Sequence, residues 1–256
     1  MSRIREAFAR GKAFIAYVTC GDPNLETTRE LVHALEDNGT DLIELGIPFS
    51  DPTGEGPVIH ASNLRALDGG VTTDHIFRMI VELREEVRIP LVIRTYANVV
   101  YSYGTERFIM RASEAGVDGL LLSDVPFEEK EEFAPICRRY GMDMISLIAP
   151  TSKERIESIA GEAEGFVYCV SSLGVTGMRE EITTDVSGMV ELARENADIP
   201  VAVGFGIATP EQAAEMAAIS DGVIVGSAIV DLIERYGEDS AEPVAEFVRE
   251  MRRAVR

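Results

Sequence analysis

Eight short apolar runs, each followed by a segment of helical or loop-like character, constrain the fold of this chain more than any other feature. They are AFIAYV (13–18), DLIEL (41–45), PLVIRT (90–95), GLLL (119–122), MISLIA (144–149), GFVYCV (165–170), PVAVG (200–204) and GVIVG (222–226). Most are apolar at successive positions rather than at every second one, the pattern of parallel strands covered on both faces. Between them lie amphipathic stretches; Ile76, Met79, Ile80, Leu83 and Val87 fall on one face at helical spacing. Asp74, Thr105 and Thr209 are placed to N-cap helices, and Gly39 and Gly116 to follow their C-termini. Eight strands alternating with eight helices predict an α/β fold, a (β/α)8 TIM barrel, and no Ser/Pro/Gly-rich linker divides residues 1–256, so a single domain is expected. A doubly wound open sheet is the lesser alternative, since no GxGxxG opens the first unit. Two extra helices are expected, one over Arg3–Arg10 and one at the C-terminus carrying Val244, Phe247, Val248 and Met251 on one face.

Composition removes several classes of function. A net charge of −20 argues against binding nucleic acid, whose phosphates must be neutralised by Lys and Arg. Only three of the 24 basic residues are lysine. The N-terminus has no signal-like apolar run and no segment has the length of a membrane span, so a soluble, cytoplasmic protein is expected. Cys20, Cys137 and Cys169 are widely spaced, and His33, His60 and His75 show no HxxxH pattern, so no metal site is expected.

In a barrel of this kind the active site lies at the C-terminal ends of the strands. Glu44 stands near the end of the second run, at i+2 from Leu42; it either points into the barrel mouth or lies outside, paired with a helix cation. Inside, desolvation would favour its protonated form and fit it to give or take a proton near neutral pH. The stretch 46–59 that follows is long for a strand-to-helix loop and carries Asp51, which suits turn capping or a functional role, and Glu55, aimed between two glycines. A second long stretch, 171–185, with Gly174, Thr176 and Gly177, suits a lid that closes over substrate or a plain flexible connector. VGFGIATPEQ and VIVGSAIV each end a strand in glycine ahead of a helix, the recurring phosphate site of this fold. No Walker A, GxSxG or Ser/His/Asp order is present, leaving proton transfer by carboxylates on a small phosphorylated substrate.

LIELGIPFSDPTGEGPVIHASNLRAL, with YVTCGDP, TYANVVYSYG, LLLSDVPFEE, SSLGVTG, VGFGIATPEQ and GVIVGSAIV in order, resembles the tryptophan synthase alpha subunit family nearly end to end. The resemblance implies cofactor-free retro-aldol cleavage of indole-3-glycerol phosphate to indole and glyceraldehyde 3-phosphate. It implies Glu44 as the acid/base and Glu55, where the family usually has aspartate, as the acceptor for the indole N–H. Gly177, Gly206, Gly226 and Ser227 would contact phosphate, and Thr176 would meet the second carboxylate when the lid closes. Tyr17, Ile59, Tyr96, Tyr168 and Phe205 would wall the indole pocket.

The same resemblance implies an α2β2 complex in which the beta subunit carries pyridoxal phosphate and receives indole. Pro48, Asp51 and Asp124 would face that partner. Arg94 stands where the resemblance leads one to expect an apolar residue lining the pocket, and is expected to face away from Glu44. A stand-alone indole-releasing lyase and a weakly catalytic activator of a beta subunit are the alternatives.

Overall fold

The computed structural model describes residues 2–171, 186–204 and 206–256. The strands are β1 (Ala13–Thr19), β2 (Leu42–Gly46), β3 (Leu91–Thr95), β4 (Gly119–Leu122), β5 (Asp143–Met144), β6 (Ser146–Ile148), β7 (Val167–Val170), β8 (Val201–Gly204) and β9 (Gly222–Val225). They form one sheet in the order β5-β4-β3-β2-β1-β9-β8-β7-β6, with every neighbouring pair parallel. The two ends of that order are successive pieces of the fifth apolar run. Ile145 joins them, and its N–H donates to the Leu120 carbonyl at 2.9 Å. The fifth run thus ties β4 to β7 and closes a (β/α)8 barrel, as the alternation of runs requires.

Strand parity divides the apolar side chains into two cores. Phe14, Ala16, Ile43, Leu45, Leu91, Ile93, Val201 and Val203 point outward and pack under the helices. Ile15, Leu42, Val92, Leu121, Phe166, Ala202 and Ile224 point inward and fill the barrel. Because both faces are covered, neither set alternates with polar residues. The helix Arg3–Phe8 inserts Ile4 and Ala7 into the inner core, and Phe8 packs against Phe166 with ring centroids 5.6 Å apart, so the barrel is plugged at its N-terminal end. The C-terminal helix Ala241–Val255 buries Val244, Val248 and Met251.

Local details differ from expectation. Two helices, not one, follow β2 (Pro57–Asp68 and Thr73–Leu83), and two follow β3 (Ala97–Tyr103 and Thr105–Ala115). Gly104, at φ +93°, breaks the latter pair, a conformation that glycine adopts without the Cβ clash of other residues. The cap before His75 is Thr72, whose side chain accepts from the His75 N–H, and Asp74 falls in the first turn instead. Thr209 does cap its helix, in a capping box with Gln212. Gly116 takes the left-handed conformation after Ala115. Among the described residues no helix is long and apolar enough to cross a membrane.

Candidate active site

The inward parity of β2 decides the position of Glu44. Ile43 and Leu45 belong to the outer core, so Leu42 and Glu44 must point into the barrel. Glu44 pairs in register with Tyr17 on β1 and Val92 on β3, and it is wholly buried. Among the described residues neither of its carboxylate oxygens has a hydrogen-bond partner. Burial pushes its pKa up to about 7; nearby Arg94 pulls it back down and Glu55 pushes it up. A carboxyl in that state can both give and take a proton near neutrality.

Arg94 does not face away from Glu44. It shares the inner face of β3 with Val92, two residues further up the strand, and is 6% exposed. Its Nη2 donates to Glu55 Oε1 at 2.7 Å, its Nη1 lies 3.8 Å from Glu44 Oε2, and its Nε donates to Ser123 Oγ at 3.3 Å. The separation from Glu44 suits Coulomb attraction but is too long for a hydrogen bond. The guanidinium also lies over the Tyr17 ring, 5.2 Å from its centroid. Parity forces this orientation: turned outward, the charge would enter the apolar layer under the helices, with no partner there.

The two inward tyrosines fit because glycines stand opposite them. A Cβ on Gly46 would lie 2.3 Å from the Tyr17 hydroxyl, and one on Gly204 would lie 2.4 Å from that of Tyr168. Burial raises both phenol pKa values, so the hydroxyls stay protonated. Tyr17 bonds Thr19 at 3.2 Å, and Thr19 bonds Ser62 at 2.7 Å, so a buried hydroxyl chain fixes its ring. Neither Thr19 nor Ser62 stands out in the sequence. Thr19 could have been found from its parity with Tyr17; Ser62 carries no such signal.

Glu55 is 8% exposed and enters from the loop between Gly46 and Pro57. A turn bonding its N–H to the Pro52 carbonyl at 3.3 Å, and the Gly54 N–H donating to the Tyr96 hydroxyl at 3.1 Å, hold that loop over the mouth. Phe49 stacks on Tyr96 with centroids 5.3 Å apart. Ile59 sits in the first turn of Pro57–Asp68, not in the loop, and packs with Tyr17 and Val230.

On the far side, Gly226 and Ser227 begin the helix Ser227–Tyr236 with no side chain capping its first N–H groups. Such a terminus suits an anion. A small void of about 20 Å³ brings Tyr17, Ile59, Tyr168, Gly206, Gly226 and Ser227 together, with Arg94 as one wall. Across Arg94 lies a cavity of about 610 Å³ over the ends of β4 to β7, walled by Ser123, Asp124, Leu147 and Val170 among others. The barrel mouth therefore gathers Tyr17, Glu44, Glu55, Ile59, Tyr168, Gly206, Gly226 and Ser227, with Tyr96 behind the loop. Thr176, Gly177 and Phe205 lie outside the described residues, as does most of the 171–185 stretch. Of the three positions expected to face a partner, Asp51 and Asp124 are exposed and Pro48 is buried. Asp124 accepts from the Ala97 N–H at 2.9 Å.

A family model for the tryptophan synthase alpha chain matches residues 5–256. The chain belongs to the tryptophan synthase alpha chain family. It is 48% identical over 256 residues to the tryptophan synthase alpha chain of Lactiplantibacillus plantarum, covering all of this chain and 97% of that one. To that of Lacticaseibacillus casei it is 44% identical over 255 residues, with 100% and 96% covered. The crystal structure of tryptophan synthase subunit alpha from Legionella pneumophila superposes with a TM-score of 0.90 at 34% identity, covering 100% and 98% of the two chains. A chain in the tryptophan synthase complex of Pyrococcus furiosus superposes with a TM-score of 0.86 at 34% identity, covering 94% and 98%. The fold and family expected from the motifs thus hold over the whole tryptophan synthase alpha barrel.

Proposed function

We propose that the residues gathered at the barrel mouth carry out the reaction of this alpha-chain family, the cleavage of indole-3-glycerol phosphate to indole and glyceraldehyde 3-phosphate. One observation carries the assignment of roles: a fully buried carboxyl, Glu44, with no hydrogen-bond partner among the described residues, stands at a strand end beside a second carboxylate. Glu44 gives a proton to ring carbon 3 and takes the proton of the side-chain hydroxyl. The C–C bond between ring and side chain breaks, the hydroxyl carbon becomes the aldehyde, and Glu44 ends the turnover as it began. Glu55 accepts the ring N–H as positive charge develops on the nitrogen. Gly226 and Ser227, with Gly206, hold the phosphate on the helix terminus. By the family resemblance, Thr176 meets Glu55 and Gly177 the phosphate, and Phe205 joins Tyr17, Ile59, Tyr96 and Tyr168 against the ring.

The chain works with a tryptophan synthase beta subunit, in an α2β2 assembly in the cytoplasm. The beta subunit holds the pyridoxal phosphate; this chain needs no cofactor of its own. The superposition on a chain of the Pyrococcus furiosus complex supports the pairing, and the exposed Asp51 and Asp124 supply surface for it. The test is indole release from indole-3-glycerol phosphate by the purified chain, alone and with a beta subunit. Slow release that rises severalfold with the partner is expected. Full-rate release without it would mean a stand-alone lyase, and none under either condition would overturn the reading.

A further inference from the structure

Arg94 lines two spaces at the barrel mouth. On one side, the void beside Gly226 and Ser227 measures about 20 Å³, room for about one water. On the other, the cavity over β4 to β7 measures about 610 Å³ and has Ser123 and Asp124 in its wall. The guanidinium forms part of both walls and binds Glu55, the carboxylate that is to meet the ring nitrogen. Arg94 Nη2 already occupies Glu55 Oε1, so a ring N–H can take that oxygen only once the contact is parted. Its Nε already reaches Ser123 Oγ, on the side of the larger cavity.

We propose that Arg94 is a positioning residue that holds Glu55, and that substrate binding displaces its guanidinium from Glu55 toward Ser123 and Asp124, joining the two spaces into one pocket. This rests on the reading of the site given above. Binding then carries the cost of parting a buried, hydrogen-bonded ion pair, and that cost falls on affinity for substrate. The displacement also carries positive charge away from the position where the ring nitrogen becomes cationic. Among the described residues, the ionisable groups that face Glu44 are Tyr17 on β1, Arg94 on β3, Glu55 on the loop and Tyr168 on β7. Arg94 is the cation of that set, so its removal acts on Glu44 in one direction, raising its pKa.

The test compares wild type, Arg94→Met and Arg94→Lys, each assembled with the beta subunit, for KM, kcat and the pH profile of indole release. Arg94→Met is expected to lower KM at least about threefold and to move the pH limb set by Glu44 upward by at least about half a unit. Arg94→Lys, which keeps the charge, is expected to return the limb to its wild-type place. An unchanged KM and an unmoved limb in Arg94→Met would overturn the proposal. Wild-type release in the same assay tests the reading of the site separately. If Arg94→Met does not fold, the crystal structure of the wild-type chain with an uncleavable indolylalkyl phosphate decides. A broken Arg94–Glu55 contact supports the displacement; a contact kept at hydrogen-bond length overturns it.

Discussion

Glu44→Gln should gain stability relative to wild type as pH rises. Folding buries the Glu44 carboxyl completely and raises its pKa from 4.5 to about 7. Between those values the folded chain keeps a proton that the unfolded chain has released. Folded protein therefore binds more protons in that window, and stability falls as pH rises through it, with the full cost present above about pH 7. At about 1.4 kcal/mol for each pH unit, the interval from 4.5 to about 7 corresponds to about 3 to 4 kcal/mol. Glutamine has nearly the same shape and no charge to desolvate, so it is free of this cost at every pH. Whatever its amide gains or loses by other contacts is the same in acid and in base and cancels from the comparison. Urea unfolding of wild type and Glu44→Gln at about pH 5 and about pH 8 measures the difference. The advantage of the variant is expected to be larger at the higher pH by about 2 to 3 kcal/mol. Equal differences at the two pH values would refute the argument, because Glu44 would then ionise alike in the folded and unfolded chain.

Two further outcomes follow from the packing of the site. Gly204→Ala would place a Cβ 2.4 Å from the hydroxyl of Tyr168, a side chain only 2% exposed, and is expected to destabilise by about 1–3 kcal/mol in urea unfolding; a variant as stable as wild type contradicts the tight fit. Ser227→Asp would set a carboxylate on the helix terminus that is to hold phosphate, and is expected to raise KM at least about tenfold while leaving the unfolding midpoint in place; an unchanged KM would move the phosphate site elsewhere.

Much of this architecture is legible in the residue pattern because burial on both faces leaves a simple signature. The eight apolar runs mark the strands, and the glycines that end β8 and precede Ser227 mark the proposed phosphate site, since both are local features. Glu44 is legible for the same reason, as an acid inside an apolar run. Arg94 is not. Its expected outward turn set one polar side chain against the rest of the site, whereas strand parity and the register Glu44 to Val92, Gly46 to Arg94 fix it inside. Register depends on the closed barrel and cannot be read along one strand. The pairs Gly46 with Tyr17 and Gly204 with Tyr168 are hidden for a like reason, each joining residues far apart in sequence through a missing Cβ. The split of the fifth run into β5 and β6 arises where β4 and β7 each hold only part of it. Helix breaks such as Gly104 could have been found from the glycine itself; the shift of the cap from Asp74 to Thr72 is a choice between two good capping residues that the sequence leaves even.

Indole release from indole-3-glycerol phosphate by Glu44→Gln, beside wild type and with the beta subunit present, tests most directly whether the buried carboxyl at the end of β2 moves the proton. A loss of at least about 100-fold in kcat is expected, the range that general acid–base catalysis supplies, in a protein that remains folded. Release within about threefold of wild type would contradict it and assign the proton transfer to another group.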